Sequence, residues 1–127
     1  MVLIDTARDL AMSLPGAEEY DHFGNPSFRV NGKIFAQLSK HEAEDERALV
    51  KLAPADQAAL IMSAPDVFSS VPQWGRYGWT HIRLADVEAP TLRDLLLQSW
   101  RLVAPKKLID ASSDAATKKN RRGGRVV

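Results

Sequence analysis

The chain has 127 residues, the size of one domain, with 45% apolar and 26% charged residues and a formal net charge of +1; this supports a packed core and excludes the low-hydrophobicity, high-charge signature of disorder. Cysteine is absent, which excludes disulfides, thiolate nucleophiles, iron–sulfur clusters and cysteine-ligated zinc. No apolar run approaches the roughly 18–20 residues that span a bilayer, and the N-terminus lacks the basic and apolar regions of a signal peptide, so a soluble, unexported, cytoplasmic protein is expected.

Leu3, Ala7, Leu10, Ala11 and Leu14 repeat on one helical face and Pro15-Gly16 stops the pattern, which predicts a first helix over 3–13. Ser27–Val30 and Lys33–Leu38 flank Asn31-Gly32, the pair that most favours a type I′ hairpin because both central residues need φ > 0. A two-residue loop sets Val30 opposite Lys33 and Phe28 opposite Phe35, so the two rings are expected as a cross-strand pair. A charged loop from His41 to Glu46 leads to a third strand, Ala48–Leu52.

Pro54 opens a short second helix that Ser63-Ala64-Pro65 breaks. In the next strand, Trp79–Leu84, Thr80, Ile82 and Leu84 alternate with Trp79, His81 and Arg83, giving one buried and one outward face. Pro90 starts a last helix with Leu92, Leu95, Leu96, Ser99 and Val103 inward, ended by Ala104-Pro105. The expected order is α-β-β-β-α-β-β-α, an α+β domain with an antiparallel sheet flanked by helices over residues 1–108. A mobile basic tail, 109–127, follows.

Charge is also divided along the chain when it is cut at residue 100. Residues 1–100 carry 9 Lys+Arg against 14 Asp+Glu, a balance of −5, whereas residues 101–127 carry 8 against 2, a balance of +6. Lys118, Lys119, Arg121 and Arg122 therefore suit either a solubilising terminus or a phosphate-seeking arm.

Chemistry-bearing patterns are sparse. The chain has no G-x-S-x-G elbow, P-loop, dinucleotide fingerprint or H-E-x-x-H pair, so no enzymatic activity and no cofactor are expected. His22, His41 and His81 fall in separate segments. His41, Glu42, Glu44, Asp45 and Glu46 form the one cluster of oxygen and nitrogen ligands but lack the glycine turn and terminal carboxylate of a calcium loop, so no metal site is expected. The stretch from Val71 to Leu84 holds three aromatics and two arginines in fourteen residues, with Gly75 and Gly78 permitting a tight turn. Arg76, Tyr77, Trp79 and Arg83, joined by Arg29, Lys33 and Lys51, form a candidate nucleic-acid contact surface. Alternatively the tryptophans cap the edge of the core and the arginines keep the strand soluble.

Leu14-Pro15-Gly16-Ala17-Glu18-Glu19, the run from His22 to Val30, Gly32-Lys33-Ile34-Phe35-Ala36, Gly75-Arg76-Tyr77-Gly78-Trp79 and the run from Ser99 to Lys107 together resemble the MmcQ/YjbR family of small bacterial proteins. The resemblance covers residues 3 to about 108. It implies a compact α+β domain of the type seen in secretion chaperones and compared with the frataxin-like fold. It also implies DNA binding through a proposed double-wing arrangement. The first helix offers only Asp5 and Asp9 beside Arg8, too little for an acidic iron-binding ridge. Two partners stay open: DNA, or a protein bound by an adaptor or chaperone-like module with Trp74, Tyr77 and Trp79 as anchors. No membrane contact is expected, and the chain is expected to be a monomer or weak dimer.

Overall fold

A computed structural model describes residues 1–22, 24–39 and 46–111. His41, Glu42, Glu44 and Asp45 of the charged loop, and tail residues Lys118, Lys119, Arg121 and Arg122, lie outside the described residues. The elements in order are α1 (Ile4–Met12), β1 (Ala17–His22), β2 (Asn25–Val30), β3 (Lys33–Ser39), β4 (Arg47–Lys51), α2 (Pro54–Ser63), β5 (Phe68–Ser70), a 3₁₀ turn at Gly75–Tyr77, β6 (Trp79–Arg83) and α3 (Ala89–Val103). Helical residues 106–111 follow Pro105. The six strands form one open antiparallel sheet in the order β1-β2-β3-β4-β6-β5, the α+β architecture expected.

Four strands precede α2 rather than three. β1 escaped the apolar alternation because it is an edge strand whose core-side positions are Ala17, Glu19 and Asp21; Glu19 there receives Arg8 of α1 at 2.6 Å. The hairpin turns at Asn31-Gly32 as expected, with φ of 52° and 77°, but Phe28 pairs with Ala36 and not with Phe35. A bulge at this point shifts the register. Strict alternation from the turn would have put Gln37 into the core and Ala36 and Leu38 outside; the bulge instead lets Phe35, Ala36 and Leu38 all be buried.

One face of the sheet is the core. Phe28, Ala36, Leu38, Ala48, Val50, Ile82 and Phe68 pack in one cluster with the inward residues of the helices. In α3 these are Leu92, Leu95, Leu96, Ser99 and the fully buried Trp100, whereas Val103 is only partly buried. The indole N–H of Trp100 donates to the Pro15 carbonyl at 2.9 Å, fastening α3 to the loop after α1. Ser99 settles the polar account of the bulge, because its hydroxyl donates to the Phe35 carbonyl and accepts the Lys51 amide at 2.8 Å. Leu108 and Ile109 are partly buried against the same cluster. With the helices on one side, the other side of the sheet is left free of them.

Candidate nucleic-acid interface

Strand register decides what the helix-free face presents. Tyr20, Ser27, Gln37, Leu49, His81 and Ser69 form a row across all six strands. Alternation places Arg29, Arg47, Lys51, Trp79 and Arg83 on this side as well, each half-buried. Lys51 stands opposite Trp79 and Arg47 opposite Arg83. At the strand positions of this face the one carboxylate among the described residues is Glu18. It accepts the Tyr20 hydroxyl at 3.0 Å, and this hydrogen bond and the neighbouring negative charge push the phenol above its usual range. Asp5, Asp9, Asp56 and Asp94 sit on the helices, whereas Asp66 and Asp86, outside the strands, line a hollow with Arg47 and Arg83. A body of net negative charge thus gathers four cations on one face.

Of the residues the sequence singled out, Arg29, Lys51, Trp79 and Arg83 come together here. Lys33 does not, because it pairs with Val30 at the hairpin end and takes the helix side. Arg83 holds Asp86 at 2.9 Å, which offsets part of its charge. Arg47 was missed because it precedes the apolar part of its strand.

Arg76 and Tyr77 lie in the β5–β6 loop, residues 71–78, with Trp74 as its third large side chain. Trp74 and Tyr77 are 58% and 51% exposed, their rings are 6.4 Å apart, and the Arg76 guanidinium stands 4.9 Å from the Tyr77 ring centre. Of the two glycines Gly78 is required, since it sits at positive φ against backbone, whereas Gly75 crowds only a rotatable side chain. A Cβ on Gly75 would meet the Ser70 hydroxyl, and one on Gly78 would meet the Leu52 carbonyl, each at 1.8 Å. The loop itself lines a hollow of about 720 Å³ from Ser70 to Tyr77.

Where this loop meets the sheet, a cavity of about 370 Å³ opens on the helix-free face. Its apolar walls are Ile34, Leu49, Val71, Trp74 and Trp79; its polar groups are His22, Arg29 and Gln37. The Arg29 guanidinium lies 5.0 Å from the Tyr20 ring centre. Its Nε is buried and meets no hydrogen-bond acceptor among the described residues. Sequence reasoning did not find this cavity, since strands adjacent in space but distant in sequence build it. Among the described residues no group of three or more His, Asp or Glu side chains is placed to hold a metal, and no helix is long and apolar enough to cross a membrane.

These features define an α+β open-sheet domain with one helix-covered face and one cationic, aromatic face. The family model for YjbR matches residues 12–102, and the chain belongs to the YjbR family. The fold is similar to that of the Deinococcus radiodurans protein DR2400, whose crystal structure carries domain DUF419, with a TM-score of 0.71 and 22% identity over 81% of this chain and 79% of that one. Uncharacterized protein Rv2570 of Mycobacterium tuberculosis and Uncharacterized protein Mb2600 of Mycobacterium bovis are each 36% identical over 53 residues, 42% of this chain. The chain spans about two fifths of the length of these curated relatives, 41% of each.

Proposed function

We propose that the protein is a non-enzymatic DNA-binding module whose contact surface is the helix-free face of the sheet, extended by Arg76 and Tyr77 of the β5–β6 loop and by the basic tail. The observation that carries this reading is the segregation of charge: Arg29, Arg47, Lys51 and Arg83 share one face although residues 1–100 carry a balance of −5. Phosphate contacts supply most nucleic-acid affinity, and a net-negative domain can make them only if its cations are gathered in this way. Trp74, Tyr77 and Trp79 beside those cations offer stacking surfaces for bases.

The test is binding of the full chain to labelled duplex and single-stranded DNA at low salt. Binding that weakens with salt, and weakens further in Arg76→Ala and Trp79→Ala, supports the reading; no binding to either form at roughly 100 μM overturns it, since even non-specific binders are commonly tighter at physiological salt. A second reading, a protein-interaction adaptor or chaperone-like module, draws on the exposure of Trp74 and Tyr77, because large aromatics are favoured interface anchors. Tryptophan fluorescence that changes with protein concentration, in a chain that ignores DNA, would favour it.

A further inference from the structure

Resting on the DNA-binding reading, we propose that the cavity between the sheet and the β5–β6 loop takes one unpaired nucleobase, so that the preferred ligand is a single strand and not a duplex. The walls carry the inference. Trp79 of β6 and Trp74 of the loop line one space with Leu49 of β4, an apolar slot with two indoles, and at about 370 Å³ it lies at the small end of ligand pockets, which run from about 300 to 1,000 Å³. A planar heteroaromatic ring fits such a slot; a base pair within a duplex cannot enter it, because its faces are covered by its stacked neighbours.

The polar groups suit a base edge. Gln37 offers both a donor and an acceptor, and the Arg29 guanidinium, which lines the same cavity, adds donors only. A base carbonyl or ring nitrogen in the slot would accept from these groups, and a base amino group would donate to the Gln37 carbonyl. Charge complementarity fixes the rest of the ligand, since Lys51 stands opposite Trp79 at the edge where the phosphates on either side of an inserted base would run. A neutral apolar ligand would leave Arg29 and Lys51 unused, whereas a strand engages both, together with Gln37 and the two indoles.

The experiment compares labelled DNA strands of about 12 nucleotides, within the site sizes of single-strand binders, with the same sequence annealed as a duplex and with the same strand carrying abasic residues. The full chain is used, and both anisotropy and tryptophan emission are read. The intact strand is expected to bind about tenfold more tightly than the abasic strand, a stack of ordinary strength, and to quench tryptophan emission where the abasic strand does not. Trp74→Ala, which removes an exposed side chain and leaves the core intact, should reduce that preference severalfold, and Arg29→Gln should weaken the intact strand more than the abasic one. Equal binding of intact strand, abasic strand and duplex would overturn the base pocket and leave the DNA-binding reading standing. No binding to any of the three would overturn both, and duplex binding tighter than single-strand binding would overturn the pocket alone.

Discussion

Gly78 and Gly32 both sit at positive φ, +96° and +77°, but in different surroundings. Around Gly32 nothing lies within 4 Å of an added Cβ, whereas at Gly78 the Cβ would stand 1.8 Å from the Leu52 carbonyl oxygen. Gly32→Ala therefore costs only the left-handed strain, about 1 kcal/mol. Gly78→Ala costs the same strain and must also push the β5–β6 loop away from Leu52. That movement breaks the hydrogen bond from the Leu52 amide to the Gly78 carbonyl, now 2.9 Å, worth about another 1 kcal/mol, and disturbs the Thr80 hydroxyl bound to the same carbonyl at 2.9 Å. The expected loss is about 2–3 kcal/mol, against about 1 kcal/mol for Gly32→Ala. For a domain of this size the corresponding falls in Tm are roughly 10 °C and 4 °C. Thermal and urea unfolding followed by circular dichroism measure both. Equal losses in the two variants, or a loss at Gly78 within about 0.5 kcal/mol of wild type, the scatter of ordinary surface substitutions, would refute the claim that close backbone packing holds this loop on the sheet.

The elements legible in the sequence are those whose signals are local. Asn31-Gly32 is a turn by backbone sterics alone, and the alternation from Trp79 to Leu84 set Trp79, His81 and Arg83 on one face and the buried Thr80, Ile82 and Leu84 on the other. The proline-opened helices follow from the same kind of signal: Pro54 is the first residue of α2 and Pro90 the second of α3. β1 was illegible because nothing apolar marks Glu18, Glu19 or Asp21; the strand is held by its ladder to β2, and strand formation depends on such context more than on propensity. The bulge was legible only as a phase slip in Phe35-Ala36-Gln37-Leu38, where two adjacent core residues break the alternation. The helix-free face is a third case. Arg29, Arg47 and Lys51 share a surface through the β2-β3-β4 ladders, and Arg83 joins them because β6 inserts beside β4 ahead of β5, a pairing that no local pattern announces. The cavity depends on the same insertion, which carries Trp79 to Leu49 and Ile34.

Ser99→Ala should cost about 2–3 kcal/mol in urea unfolding, because it strips partners from both the Phe35 carbonyl and the Lys51 amide. Leu108→Ala should cost about 1 kcal/mol, since the side chain is only partly buried against the core and lies beside Gly16; no change would show that helical residues 106–111 do not dock. Arg8→Ala should stay within about 0.5 kcal/mol, because its bridge to Glu19 is solvent-exposed. The last prediction separates the location of charge from its amount. Lys51→Gln on the helix-free face and Arg93→Gln on the outer side of α3 each remove one positive charge. If phosphates lie along the sheet, Lys51→Gln should flatten the dependence of log affinity on log salt by about 0.9 for a duplex, or about 0.7 for a single strand, while Arg93→Gln leaves the slope unchanged. The Lys51 effect should be alike for every DNA sequence, since backbone contacts carry no sequence information. Equal flattening by both substitutions would mean that the DNA responds to the net charge of the chain, and the gathering of Arg29, Arg47, Lys51 and Arg83 on one face would then have no part in binding.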